Sequence, residues 1–81
     1  MAEKIKQDIS IGENLQRLRK STGLSQEQVA SQLQLLELSV SREMLSQMEL
    51  GKYSIRVSVL LALKEIYHAD FNDFFEGLSL R

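Results

Sequence analysis

Within SVSREMLSQMELGK, residues 39–52, four side chains of different hydrogen-bonding type crowd one side of a short segment: Arg42, Glu43, Ser46 and Gln47. A guanidinium, a carboxylate, a hydroxyl and an amide at that spacing offer donors and acceptors to a partner's polar surface. They do not pair a nucleophile with a base. At helical period, Val40, Met44 or Leu45, and Met48 fall on the other side, so the segment reads as a helix with one face to bury and one to present. Ser41 stands where an N-cap belongs, and Gly51 where a C′ glycine ends a helix. About ten residues of helix are too few to be stable alone, so neighbouring elements must hold it in place.

The chain has 81 residues, 43% of them apolar, which suits one small domain with a small core. With no Cys there is no disulfide framework, thiolate nucleophile or zinc-thiolate site, in keeping with a reducing compartment. The opening MAEKIKQD lacks the apolar core of a signal peptide, and no run approaches the roughly 20 apolar residues of a membrane span. A cytoplasmic protein is the expectation. The single His68 falls at a helix end, and Asp70 and Asp73 have capping spacing, so neither an enzyme nor a metal or cofactor site is expected. A net charge of −1 is not the footprint of a nucleic-acid binder, but residues 1–56 hold eight of the ten bases against seven acids. Any anion-binding face lies in those first two-thirds.

Taken in order, residues 1–9 show no sustained period and read as a flexible arm, with Lys4 and Lys6 either solvated or touching phosphate. Ser10-Ile11-Gly12-Glu13 has capping-box spacing ahead of Ile11, Leu15 and Leu18, predicting a first helix over 11–21. Its outer face carries Arg17 and Lys20, expected in solvent. Ser25-Gln26-Glu27-Gln28 repeats the capping pattern, so a second helix starts at Gln26 and buries Val29, Ala30 and Leu33. Residues 34–38, QLLEL, either extend that helix by about a turn or fold over the core edge. After a loop at residues 52–55, RVSVLLALKEIYHAD predicts a largely buried fourth helix, with Val59, Leu60, Leu63, Ile66 and Tyr67 inward. Asp70 with Asp73 caps a short fifth helix, whose Phe71 and Phe74 should close the core. The result is a five-helix, all-α bundle over residues 10–76, followed by a tail at 77–81.

The set IGENLQRLRK, GLSQEQVASQL and VSREMLSQMELGK, followed by DFNDFF, resembles the helix-turn-helix domain of the Cro and phage-repressor (Xre-like) family over about residues 10–76. The resemblance implies a lambda-repressor-like bundle that binds double-stranded DNA with its third helix. There are two departures. The turn between the second and third helices, about four residues in the family, is lengthened by the five residues 34–38, with Ser39 in place of its Gly. Arg56 stands where the family more often has a Ser, Thr or Asp cap.

On this resemblance Arg42, Glu43 and Gln47 are the base readers, since each base pair shows a distinct donor and acceptor pattern in the major groove. Gln26, Ser41, Ser46, Lys52 and Tyr53 would contact phosphate from the flanking elements. Arg19 and Glu49 match a pair that fixes the third helix to the first. So few bases reach the duplex that one copy should bind weakly, and a two-fold homodimer on a palindrome would add the contacts of two. Phe75, Leu78 and Leu80 are candidates for that dimer contact. The competing expectation is a protein-interaction module or an antitoxin-type component, suggested by Glu43 and Leu50 near the reading surface and by the negative net charge.

Overall fold

The computed structural model describes residues 4–80, so residues 1–3 of the expected arm lie outside the described residues. The elements run β1 (Lys4–Ile5), α1 (Gly12–Ser21), α2 (Gln26–Leu35), α3 (Arg42–Glu49), β2 (Ile55–Arg56), α4 (Val57–Ile66) and α5 (Phe71–Phe74). Five helices form the expected bundle around Leu15, Leu33, Leu45, Leu63 and Phe74, all fully buried. Burying side chains of this size contributes about 1.5–3 kcal/mol each. No helix among the described residues is long and apolar enough to cross a membrane.

What the helical reading lacks is a two-stranded antiparallel sheet, with Lys4 opposite Arg56 and Ile5 opposite Ile55. Successive strand residues point to opposite faces. Ile55 therefore enters the core and Ile5 packs against it, while Lys4 and Arg56 share the outer face. The arm is tied down a second time at Gln7. Its Nε2 donates to the carbonyls of Met48 (3.2 Å) and Tyr53 (2.7 Å), and its Oε1 accepts from the Ile11 N–H at 3.0 Å. The expected Ser10 capping box is not formed. Gln7 occupies the Ile11 donor, and the Ser10 hydroxyl accepts instead from Gly12 N–H.

At α2 the Ser25 capping box closes as expected, Ser25 Oγ accepting from Gln28 N–H and Gln28 Oε1 from Ser25 N–H. The other end of α2 combines both readings of QLLEL. Gln34 and Leu35 are helical, Glu37 turns left-handed at φ 61°, and Leu38 folds back onto the core. The N–H groups of Glu37 and Leu38 reach the carbonyls of Gln34 (2.9 Å) and Leu33 (2.9 Å), a Schellman closure with Glu where Gly is usual.

Two outward positions differ from the sequence reading. Phe71 is 43% exposed, under the Lys64 ammonium at 5.3 Å from the ring centroid. Although residues three apart are neighbours on a helix, of these two phenylalanines only Phe74 is buried. Arg17 is not simply solvated: its Nη2 donates to Asn14 Oδ1 (3.1 Å) and to the Asp73 carbonyl (3.2 Å), and lies 3.5 Å from Glu76 Oε1. Asn14 Nδ2 also donates to the Phe74 and Glu76 carbonyls, so α1 holds the α5 end of the chain.

The contacts of α1 with α3 set the position of the third helix. Gly12 lies so close to α3 that an added Cβ would overlap the Glu49 carbonyl and the Gly51 nitrogen. About two turns further along, Arg19 Nε donates to Glu49 Oε2 at 2.7 Å and Nη2 to Oε1 at 3.1 Å. Gln26 Nε2 donates to the same Oε1 at 2.9 Å, and Arg19 Nη1 to the Leu24 carbonyl at 2.9 Å. One carboxylate thus joins α1, the start of α2 and α3. The hydrogen bond that Arg19 donates to Glu49 raises the Arg19 pKa, with desolvation partly opposing it. The Tyr67 hydroxyl, buried and without a hydrogen-bond partner among the described residues, has its pKa raised, first by burial and then by the Glu49 charge, and stays neutral.

These contacts fix three expected outcomes, each read by urea unfolding. Glu49→Ala leaves the Arg19 charge buried without its partner and should cost about 3–5 kcal/mol, whereas Arg19→Lys keeps the charge, loses the fork and should cost less. Gly12→Ala should cost about 1–3 kcal/mol, because the added methyl meets backbone that cannot swing aside. Glu37→Gly should stabilise by up to about 1 kcal/mol, relieving the left-handed cost against glycine's larger unfolded-state entropy.

Candidate nucleic-acid interface

α3 is capped at both ends by its own sequence. Ser41 Oγ accepts from Met44 N–H at 3.1 Å, and the N–H groups of Gly51 and Lys52 close onto the carbonyls of Met48 and Gln47. At about 100° per residue, the buried Leu45, Met48 and Glu49 define the inner side of the helix. Glu43, Leu50 and Gln47 fall opposite, with Arg42 and Ser46 on the flank towards Gln26 and Met44 on the other flank.

Arg42 and Glu43 are exposed and Gln47 is half-buried. None of the three has a side-chain hydrogen bond or ion pair among the described residues. Their heads are therefore not occupied by the chain's own groups, and they share the presenting side of an anchored helix. Leu50, also exposed, stands beside them.

The residues expected to contact phosphate are divided among several jobs. Gln26 uses one amide N–H on Glu49, which leaves a second donor at the start of α2. Ser41 spends its acceptor lone pair on the cap. Ser46 is half-buried on the flank facing α2, while Lys52 and Tyr53 are exposed just beyond α3. The structure also brings two bases beside Lys52 that the sequence reading left apart. Lys4, Lys52 and Arg56 line one groove of about 510 Å³ whose floor includes Met44 and Met48. A two-residue strand is too short to show alternation, so nothing in the sequence tied Lys4 to Arg56.

Phe75, Leu78 and Leu80 are exposed, and with Ile9 and Ile11 they line a separate, largely apolar groove of about 320 Å³ on the opposite termini of the chain. This groove shares no residue with the one beside α3.

With this geometry in place, the comparisons with known proteins are specific. The sequence pattern of the family described as "Helix-turn-helix domain" matches residues 10–73, spanning α1 to α4 and most of α5. No curated protein and no solved structure matches the chain significantly. The family is of the Xre/Cro-like type and is associated with DNA binding. On the strength of that match, this chain belongs to the helix-turn-helix domain family.

Proposed function

We propose that this helix-turn-helix protein is a cytoplasmic transcriptional regulator, a repressor, that reads a specific duplex by placing α3 in the major groove. The observation that carries the proposal is the combination at α3. Its inner side is locked by Glu49, and its outer side holds Arg42, Glu43 and Gln47 without partners among the described residues. A helix fits the major groove, and an anchored helix presents its polar side without first having to be ordered. Arg42 would donate its fork to guanine O6 and N7, Gln47 would pair with adenine N6 and N7, and Glu43 would accept from cytosine N4. Gln26 with the start of α2, Ser41 and Ser46 would meet the backbone on one side of the groove, and Lys52 with Tyr53 on the other.

The working unit in this proposal is a two-fold homodimer on a palindromic site, placing two copies of α3 about 34–36 Å apart. Phe75, Leu78 and Leu80 supply exposed apolar surface for that contact, away from the reading side. The exposed Leu50 supports a second reading, in which the same side of α3 binds a protein, as an antitoxin would.

Selection of bound sequences from random duplex DNA separates the roles. Arg42→Ala and Gln47→Ala should each relax preference at particular base pairs, at about 1–3 kcal/mol per lost contact, while Lys52→Ala should weaken every sequence alike. Uniform losses from Arg42→Ala and Gln47→Ala would overturn the assignment of readers. Absence of any duplex binding at low salt, together with a stable complex to a protein, would favour the second reading.

A further inference from the structure

The outer face of the small sheet sets two cations directly opposite each other, Lys4 across from Arg56. Side chains in that relation sit roughly 5 Å apart at Cβ, and like charges there are destabilising. Among the described residues no carboxylate pairs with either. Lys52 lines the same groove, none of its lining residues is Asp or Glu, and neither Lys4, Lys52 nor Arg56 forms an ion pair among the described residues. In a chain of net charge −1, this is a local concentration of three positive charges.

From this juxtaposition we infer that β1 delivers Lys4 to a second backbone clamp, in which Lys4 and Arg56 join Lys52 on the DNA strand bordering one edge of the major groove. The inference rests on the DNA-binding proposal and adds residues to its interface. Position around α3 supports it. The groove lies on the Met44 and Met48 side of the helix, while Gln26 and the start of α2 lie on the Arg42 and Ser46 side. A helix seated in a major groove about 12 Å wide has one phosphate strand along each side. The two clamps therefore face the two strands, with the readers between them. A phosphate would also screen the Lys4 and Arg56 charges from each other, so the repulsion built into the free sheet is relieved on binding. The Met44 and Met48 floor keeps the cations from sinking into the protein, as a buried carboxylate partner would have allowed.

The test measures binding of selected duplexes and of a random-sequence 24-base-pair pool as a function of salt, with Lys4→Gln, Arg56→Gln and the double variant. Each single change should lower the slope of log affinity against log salt by about 0.9 and weaken binding roughly eightfold at 0.1 M salt, without altering sequence preference. Thermal melting supplies the second readout. If the pair exists for the ligand, each single neutralisation leaves the melting temperature unchanged or raises it, whereas a structural role would lower it. Lys20→Gln, on exposed α1 surface, should leave the slope unaltered. Wild-type protein that binds with sequence preference while Lys4→Gln and Arg56→Gln keep its full salt slope would overturn this clamp alone. Wild-type protein that binds no duplex at 20 mM salt would end both this inference and the proposal beneath it.

Discussion

The Glu49 carboxylate is the point on which the geometry of α3 depends. Its side chain is 2% exposed and takes two donors from Arg19 and one from Gln26. Removing a carboxylate and a guanidinium from water is expensive, and attraction between them recovers that cost only when the remaining hydrogen-bonding capacity is filled. Here it largely is, because Arg19 also donates to the Leu24 carbonyl. The net contribution to stability of such an arrangement is small. Its directionality is what matters: a planar fork on a planar carboxylate admits one orientation, and that orientation sets the rotation of α3 about its axis. An eight-residue helix has no means of setting this for itself.

Around this contact the neighbouring constraints agree with one another. Gly12 lets the start of α1 approach the end of α3 at backbone distance, and Gln7 bridges the same region by serving an N–H at the start of α1 and carbonyls at and beyond the end of α3. Gly51, left-handed at φ 78°, turns the chain away just beyond, beside the Ser10 side chain. Each device uses a different physical means, respectively absence of a side chain, an amide clamp and a backbone turn. All three act, like the Glu49 contact, at the junction of α1 with α3, and none acts on the outward side of α3. Rigid support is thus concentrated behind the presenting residues, as a pre-organised recognition surface requires.

Much of this could be read before the fold was known, and what could be read is local or motif-borne. Ser25 and Ser41 cap because a hydroxyl at that position reaches an N–H three residues on, and the helical period of Leu15, Leu18, Val29 and Leu33 is visible within one or two turns. The Arg19 and Glu49 pairing was expected only through family resemblance, since a separation of thirty residues carries no spacing signal. The features that escaped are those in which one short segment meets a distant one. β1 and β2 are two residues each, below the length at which alternation shows, and Gln7 reaches 41 and 46 residues along the chain. Residues 34–38 stayed open for another reason: a left-handed C′ residue is signalled by Gly or Asn, and here the closure is completed by Glu37 with Leu38 packing behind it. Phe71 and Phe74 are the same residue type at neighbouring positions of one helical turn, so nothing in the pattern says which of them is buried.

The charge pattern explains why a chain with a slight negative net charge can still present a surface suited to an anion. Acids and bases are not merely unequal in number along the chain; they are used differently in space. Glu49 and Asp73 are spent internally, one on Arg19 and Gln26 and the other on the Asp70 N–H, while Glu76 lies beside Arg17 of α1. Among the described residues Lys4, Lys52 and Arg56 have no carboxylate partner, and they gather beside α3. Surface potentials fall off over about 8–10 Å at ordinary salt, so a ligand approaching α3 responds to these three charges far more than to acids on the opposite side. The total therefore says little about this surface. The pairing of β1 with β2 matters more, because it decides whether Lys4 belongs to that field at all.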